Sequence, residues 1–168
     1  KTWANVVSNI QGLPKNTWTY HIEASVHGKG TAYAVFDGHN SGDMNPYVYK
    51  TSDFGASWTN ILTDNIVGTS RNIQEDYENE DLLFLGTEFG LYITVDGGKS
   101  WMHMGLEKTR NIHRVIVNRD NPNIVYVGAI GSPWGEHEER GVYKTIDGGK
   151  TWKRVLFVDK KTGIGDLV

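Results

Sequence analysis

One pattern, met three times, restricts what this chain can fold into more than any other feature. Thr51-Ser52-Asp53-Phe54-Gly55-Ala56-Ser57-Trp58 is followed by Thr94-Val95-Asp96-Gly97-Gly98-Lys99-Ser100-Trp101 and by Thr145-Ile146-Asp147-Gly148-Gly149-Lys150-Thr151-Trp152. Aligned, they read T-x-D-x-G-x-[ST]-W, each behind a hydrophobic run that contains an aromatic. Lys1-Thr2-Trp3 matches the tail of the third copy, as a fourth box cut by the start of the sequence would. Self-similarity at a period of roughly 40–50 residues is the mark of a repeat architecture.

The pattern has a mechanical meaning. The Asp (Asp53, Asp96, Asp147) accepts hydrogen bonds from backbone N–H groups of the turn that follows it. The Gly two positions on (Gly55, Gly98, Gly149) supplies a positive φ. The Thr two positions before (Thr51, Thr94, Thr145) ties its hydroxyl to the same turn. The Trp (Trp58, Trp101, Trp152) opens the outgoing strand with a large apolar surface for a neighbouring unit. The expected role is a hairpin corner rather than a catalytic device.

The rest of the composition agrees. The chain has 168 residues, 20 of them Gly, with 38% hydrophobic content, which suits many short strands better than a helical bundle. No apolar run approaches the ~18 residues of a membrane span. A net charge of −3 with mixed signs invites neither nucleic acid nor an anionic membrane. With no cysteine, a disulfide framework and a zinc–thiolate site are excluded. No cofactor and no metal site is expected.

Read in order, the chain gives three four-stranded units. The first has strands over 19–25, 31–36, 47–51 and 58–61, with a long loop from Asp37 to Pro46. The second has 71–76, 82–87, 91–94 and 101–104, with a tight hairpin at Glu88-Phe89-Gly90. The third has 112–118, 124–130, 141–145 and 152–158, with a second long loop from Gly131 to Arg140. The expected class is all-β: a β-propeller segment spanning 1–168, with blades of about 4–61, 62–104 and 105–158, and a further blade beginning at 159–168. Three blades do not close a ring. Two hydrophobic faces would stay uncovered unless copies self-associate or the remaining blades of a longer parent chain supply the rest.

The boxes also carry a resemblance. T-x-D-x-G-x-[ST]-W is similar to the Asp-box, or bacterial-neuraminidase (BNR), repeat of sialidases, xyloglucanases and the sortilin (Vps10) luminal domain, all β-propellers. The third unit, through Glu138–Thr145, Val158-Asp159 and Thr162-Gly163, resembles an early blade of large bacterial Asp-box proteins often labelled glycosyl hydrolase or sortilin-like. The first two units, through Asp37-Gly38-His39, Pro46–Thr51 and Gly86–Tyr92, resemble later blades of the same proteins. The order here is therefore permuted relative to theirs. The resemblance implies an extracellular or periplasmic protein.

Strand direction sorts the loops. The second-to-third loops and the inter-blade connectors share one face; the boxes lie on the other. Sites carried on loops above a rigid scaffold are the usual arrangement, so the first face is the candidate functional one. Arg71 and Arg110 stand in matching contexts, Ser70-Arg71-Asn72-Ile73 and Thr109-Arg110-Asn111-Ile112, and two guanidiniums there could grip a carboxylate. Ordinary salt bridges are the competing reading. The F/Y-R-I-P segment and the Tyr–Glu nucleophile pair of sialidases are absent.

Asp37, Asp43, Asp64, Glu136, Glu138 and Glu139 could supply the acid and base of glycoside hydrolysis, which needs two carboxyl groups ~5–10 Å apart. His39 with Asp43, or His137 with Glu136, lacks a strong metal-ligand spacing. Trp18, Phe89 and Trp134 could stack on sugar rings, with Trp134 the best exposed candidate. The functional expectation is a binding or structural module engaging carbohydrate or peptide through Arg71, Arg110, Trp134, Phe89 and His39. The alternatives are part of a sialidase- or xyloglucanase-like glycoside hydrolase, or a self-assembling segment with no activity.

Overall fold

The structure, a computed structural model, describes residues 2–167; Lys1 of the expected cut box and Val168 of the further blade expected to begin at 159–168 lie outside them. Among the described residues twelve strands form three antiparallel sheets. The first comprises β1 (Trp18–Ala24), β2 (Ala32–Asp37), β3 (Tyr47–Thr51) and β4 (Thr59–Asn60). The second comprises β5 (Ser70–Glu75), β6 (Leu83–Thr87), β7 (Gly90–Thr94) and β8 (Met102–His103). The third comprises β9 (Ile112–Val117), β10 (Val125–Ala129), β11 (Gly141–Thr145) and β12 (Lys153–Leu156). In each sheet neighbours in sequence are neighbours in space. The first strands converge, with β5 between β1 and β9. This is the plan of consecutive propeller blades.

The cores lie between blades. Tyr33, Val35 and Val48 of the first pack on Ile73, Leu83, Leu85, Tyr92 and Trp101 of the second. Phe84, Leu91 and Ile93 on the second's other face pack on Ile112, Val115, Val125, Val127 and Tyr143 of the third. The central blade is thus buried on both faces, and every residue of β6 and β7 is buried. Gly86 permits the close approach: a Cβ there would come within 2.6 Å of Ile112.

The three boxes share one geometry. Thr51 Oγ1 donates to Asp53 Oδ1 at 2.8 Å and accepts from the Gly55 amide at 3.0 Å, while Asp53 accepts from the Ser57 amide at 2.9 Å and the Ser57 hydroxyl at 2.6 Å. Thr94, Asp96, Gly98 and Ser100 repeat this set, as do Thr145, Asp147, Gly149 and Thr151. The glycines stand at φ 85, 94 and 89. The second and third boxes lean on the outgoing segment of the blade before each. Trp101 Nε1 donates to the Ile61 carbonyl and Trp152 Nε1 to that of Met104, both at 2.7 Å.

Both outer faces carry cover that the strand pattern does not foretell. Over the first blade, Ile10 and Leu13 pack on Ala34, Phe36, Tyr49 and Trp58. A Cβ on Gly55 would meet Val6 at 3.2 Å, just as one on Gly98 would meet Ile61. Trp58 Nε1 is buried there with no partner among the described residues. At the other end, residues 159–167 form no strand. Ile164 nonetheless lies on Gly128 as Ile112 lies on Gly86. The outgoing strand β12 stays exposed throughout.

Strand β1 does not alternate cleanly between buried and exposed residues. Ile22 is 63% exposed, and a register shift between Thr19 and His21 makes Tyr20 an extra residue in the ladder. The second and third blades shift at the matching place, at Arg71 and at His113. Bulges of this kind re-aim side chains.

Candidate functional site

The three bulged residues meet near the axis. The Tyr20 hydroxyl and His113 Nδ1 are 3.0 Å apart, and the Arg71 guanidinium lies 5.0 Å from the Tyr20 ring centre. Burial pushes the Tyr20 phenol up and the His113 imidazole down from their ordinary values. Arg71 is itself buried. It donates to the Asp37 carboxylate and, through Nε, to Asn111 Oδ1 at 2.9 Å. Asp37 also receives the His39 amide at 3.0 Å and contacts His39 Nδ1 at 2.5 Å. Arg71 is therefore a fastener between blades whose hydrogen-bonding edge is largely spent.

Above this fastener opens a cleft of about 520 Å³. Its walls come from the first loop (His39, Met44), the second hairpin (Glu88), the connector (Arg110, Asn111) and the third loop (Ser132 to Trp134, Glu136, His137), with Arg71 at the base. These are the loops that strand direction assigns to one face. The space is of the size that holds a small ligand.

Arg110 does not copy Arg71. It and Asn111 are consecutive non-glycine residues at positive φ, 51 and 55, a conformation their counterparts Arg71 and Asn72 do not adopt. The twist lets the Arg110 and Asn111 carbonyls accept the Gly131 and Ile130 amides at 3.0 and 3.2 Å. The base of the third loop is thereby tied to the connector. The Arg110 side chain is half-exposed, bonded to Glu88 Oε1 at 3.0 Å and lying over the Phe89 ring at 4.6 Å.

The third loop is stapled from within. Arg140, 7% exposed, donates to the carbonyls of Ile130, Ser132 and Gly135. Trp134 at its crest is 89% exposed: the indole stands in solvent on a braced loop. Trp18 is also exposed but does not line the cleft.

The carboxylates are engaged. Asp43 accepts the Tyr47 hydroxyl at 2.6 Å and the Asn45 side chain at 2.7 Å; chiefly the Tyr47 bond holds its carboxyl below the usual range. Glu136 pairs with Lys161 at 3.3 Å, and Glu138 with Lys160 at 2.5 Å, where the lysine lowers the Glu138 carboxyl. Glu139 accepts the Tyr143 hydroxyl at 2.9 Å. Asp64 does not line the cleft. Among the described residues no group of three His, Asp or Glu side chains could hold a metal ion. The residues that sequence reasoning passed over are Glu88, Asn111 and Arg140. Only Asn111 had a signal, its place in the repeated Arg-Asn-Ile.

A family model described as sortilin, neurotensin receptor 3 (Sortilin-Vps10) matches residues 46–157. No curated protein gives a significant match. Several solved structures share the fold. The GH74 enzyme of Niastella koreensis superposes with a TM-score of 0.64 at 18% identity, over 84% of this chain and 23% of its own. An ancestral GH74 enzyme gives 0.67 at 20% identity, over 86% and 19%. The GH74 xyloglucanase of Xanthomonas campestris gives 0.64 at 14% identity, over 84% and 24%. The chain thus spans about a fifth to a quarter of the length of these enzymes, all β-propellers.

Proposed function

The chain belongs to the sortilin–Vps10 family of β-propellers, and from that premise we propose that it is a carbohydrate-binding module working through the cleft on its loop face. The observation that carries this reading is Trp134, an indole held in water at the rim of a polar cleft by a loop braced with buried Arg140. Exposing an indole costs hydrophobic free energy, and bracing the loop removes the entropy a ligand would otherwise have to overcome. An aromatic face matches the apolar face of a pyranose, and a polar floor matches its hydroxyls. The likeness to a xyloglucanase is in keeping with a glucan as the ligand class. The same reading places the protein outside the cytoplasm, where such polymers occur.

A binding role is favoured over hydrolysis by the state of the acids. Asp37 is paired with Arg71 and His39, Glu88 with Arg110 and Glu136 with Lys161, so no two cleft carboxylates face each other unpaired. The test is affinity electrophoresis of the chain through gels containing soluble xyloglucan. Retardation that Trp134→Ala removes supports the proposal. Equal mobility of both proteins with and without polymer would end it.

A further inference from the structure

Two residues of the cleft wall each hold a buried polar atom that has no partner among the described residues: Glu88 at Oε2 and His137 at Nδ1. Leaving a buried carboxylate oxygen without a donor is unfavourable, because it has given up water and received nothing. Neither group is placed by accident of a loose loop. The Glu88 amide donates to the Thr69 carbonyl at 2.9 Å and its carbonyl accepts from Asn111 at 3.1 Å; the His137 amide donates to the Lys160 carbonyl at 2.8 Å. The adjoining Arg110 and Asn111 hold their strained backbone in the same wall. Strain and unmet polar groups gather where a structure is arranged for something it binds.

The charges around these atoms nearly cancel. Arg71 answers Asp37, Arg110 answers Glu88, and Lys161 answers Glu136. A carboxylate entering such a cleft would lose hydration without finding a free cation, whereas a hydroxyl can donate to Glu88 Oε2 and exchange a hydrogen bond with His137. Building on the carbohydrate reading, we infer that Glu88 and His137, with the exposed edge of Arg110, form a hydroxyl-reading subsite beside Trp134 that selects an uncharged sugar unit over an acidic one. Sites of this type discriminate strongly, since a ligand that cannot satisfy the buried groups leaves them unpaired.

Calorimetric titration of the full chain with a β-1,4-linked glucose tetramer and with the corresponding glucuronate tetramer tests this. The wild-type protein is expected to bind the neutral tetramer at least tenfold more tightly. Glu88→Gln keeps the shape but withdraws the charge that offsets Arg110. It should weaken neutral binding about tenfold and shift the preference toward the acidic tetramer, a reversal that loss of packing alone would not produce. If the wild type prefers the acidic tetramer, or if Glu88→Gln leaves the preference unchanged while Trp134→Ala abolishes binding, the inference fails and the carbohydrate reading stands. If the wild type binds neither tetramer, both fall.

Discussion

Arg71 and Arg110 occupy the same place in successive repeats, yet physics has given them different work. Arg71 sits in a bulge that turns it inward, where Asp37, Asn111 and the Tyr20 ring take up its guanidinium. Arg110 reaches outward because its own backbone is left-handed. Removing Arg71 strands Asp37, only 3% exposed, beside a lone histidine. Breaking a buried pair on one side costs about 3–5 kcal/mol, so Arg71→Ala should consume much of the ~5–15 kcal/mol that holds a domain together. Arg110→Ala loses a half-exposed pair worth under about 1 kcal/mol. Urea unfolding of the two variants should therefore separate widely; similar midpoints would refute the division of roles. The sequence shows both arginines in one context and cannot show this, because a bulge has no residue signature of its own and depends on the register of two strands.

At the scale of elements, the box turn is where sequence and structure correspond most closely. Its spacing of Thr, Asp, Gly and Trp prescribes hydrogen bonds between residues two and four apart, local enough to be read without knowing the fold. The strands between boxes fall where alternation and turns put them; β3 and β11 match to the residue, and others move by one or two. What could not be read is long-range: Arg140 reaching three carbonyls, Glu88 meeting Arg110, and residues 4–13 lying over the first blade. The box also carries a pH prediction. Ser57 and Thr151 hydroxyls, foremost among several donors, hold the Asp53 and Asp147 carboxyls down from 3.8 to about 2, and Asp96 is lowered likewise, Ser100 foremost. A depressed folded-state value contributes stability that is present above the unfolded value and lost as pH falls through the folded one. Thermal stability should thus decline between pH about 4 and 2, and Asp147→Asn should flatten that decline while lowering stability at neutral pH. A variant with the wild-type slope would count against the box as its source.

For the whole molecule, three blades form a graded stack. The second is enclosed on both faces, whereas the first and third rely on short segments for their outer cover. A stack of nearest-neighbour contacts holds its middle most firmly. Its loops can then vary above a fixed frame, and in this chain the frame brings a braced tryptophan, a paired arginine and two unmet polar atoms to one cleft. The face was legible from strand direction; the particular partners within it were not, since they arise from three blades at once. Amide hydrogen exchange, with and without saturating xyloglucan oligosaccharide, tests the account most directly. In the free protein β6 and β7 should exchange slowest. On binding, protection should rise at residues 38–46, 88–90, 109–111 and 131–140, and nowhere in the three boxes. Protection centred on the box turns, or spread along β12, would contradict the assignment of the loop face as the ligand face.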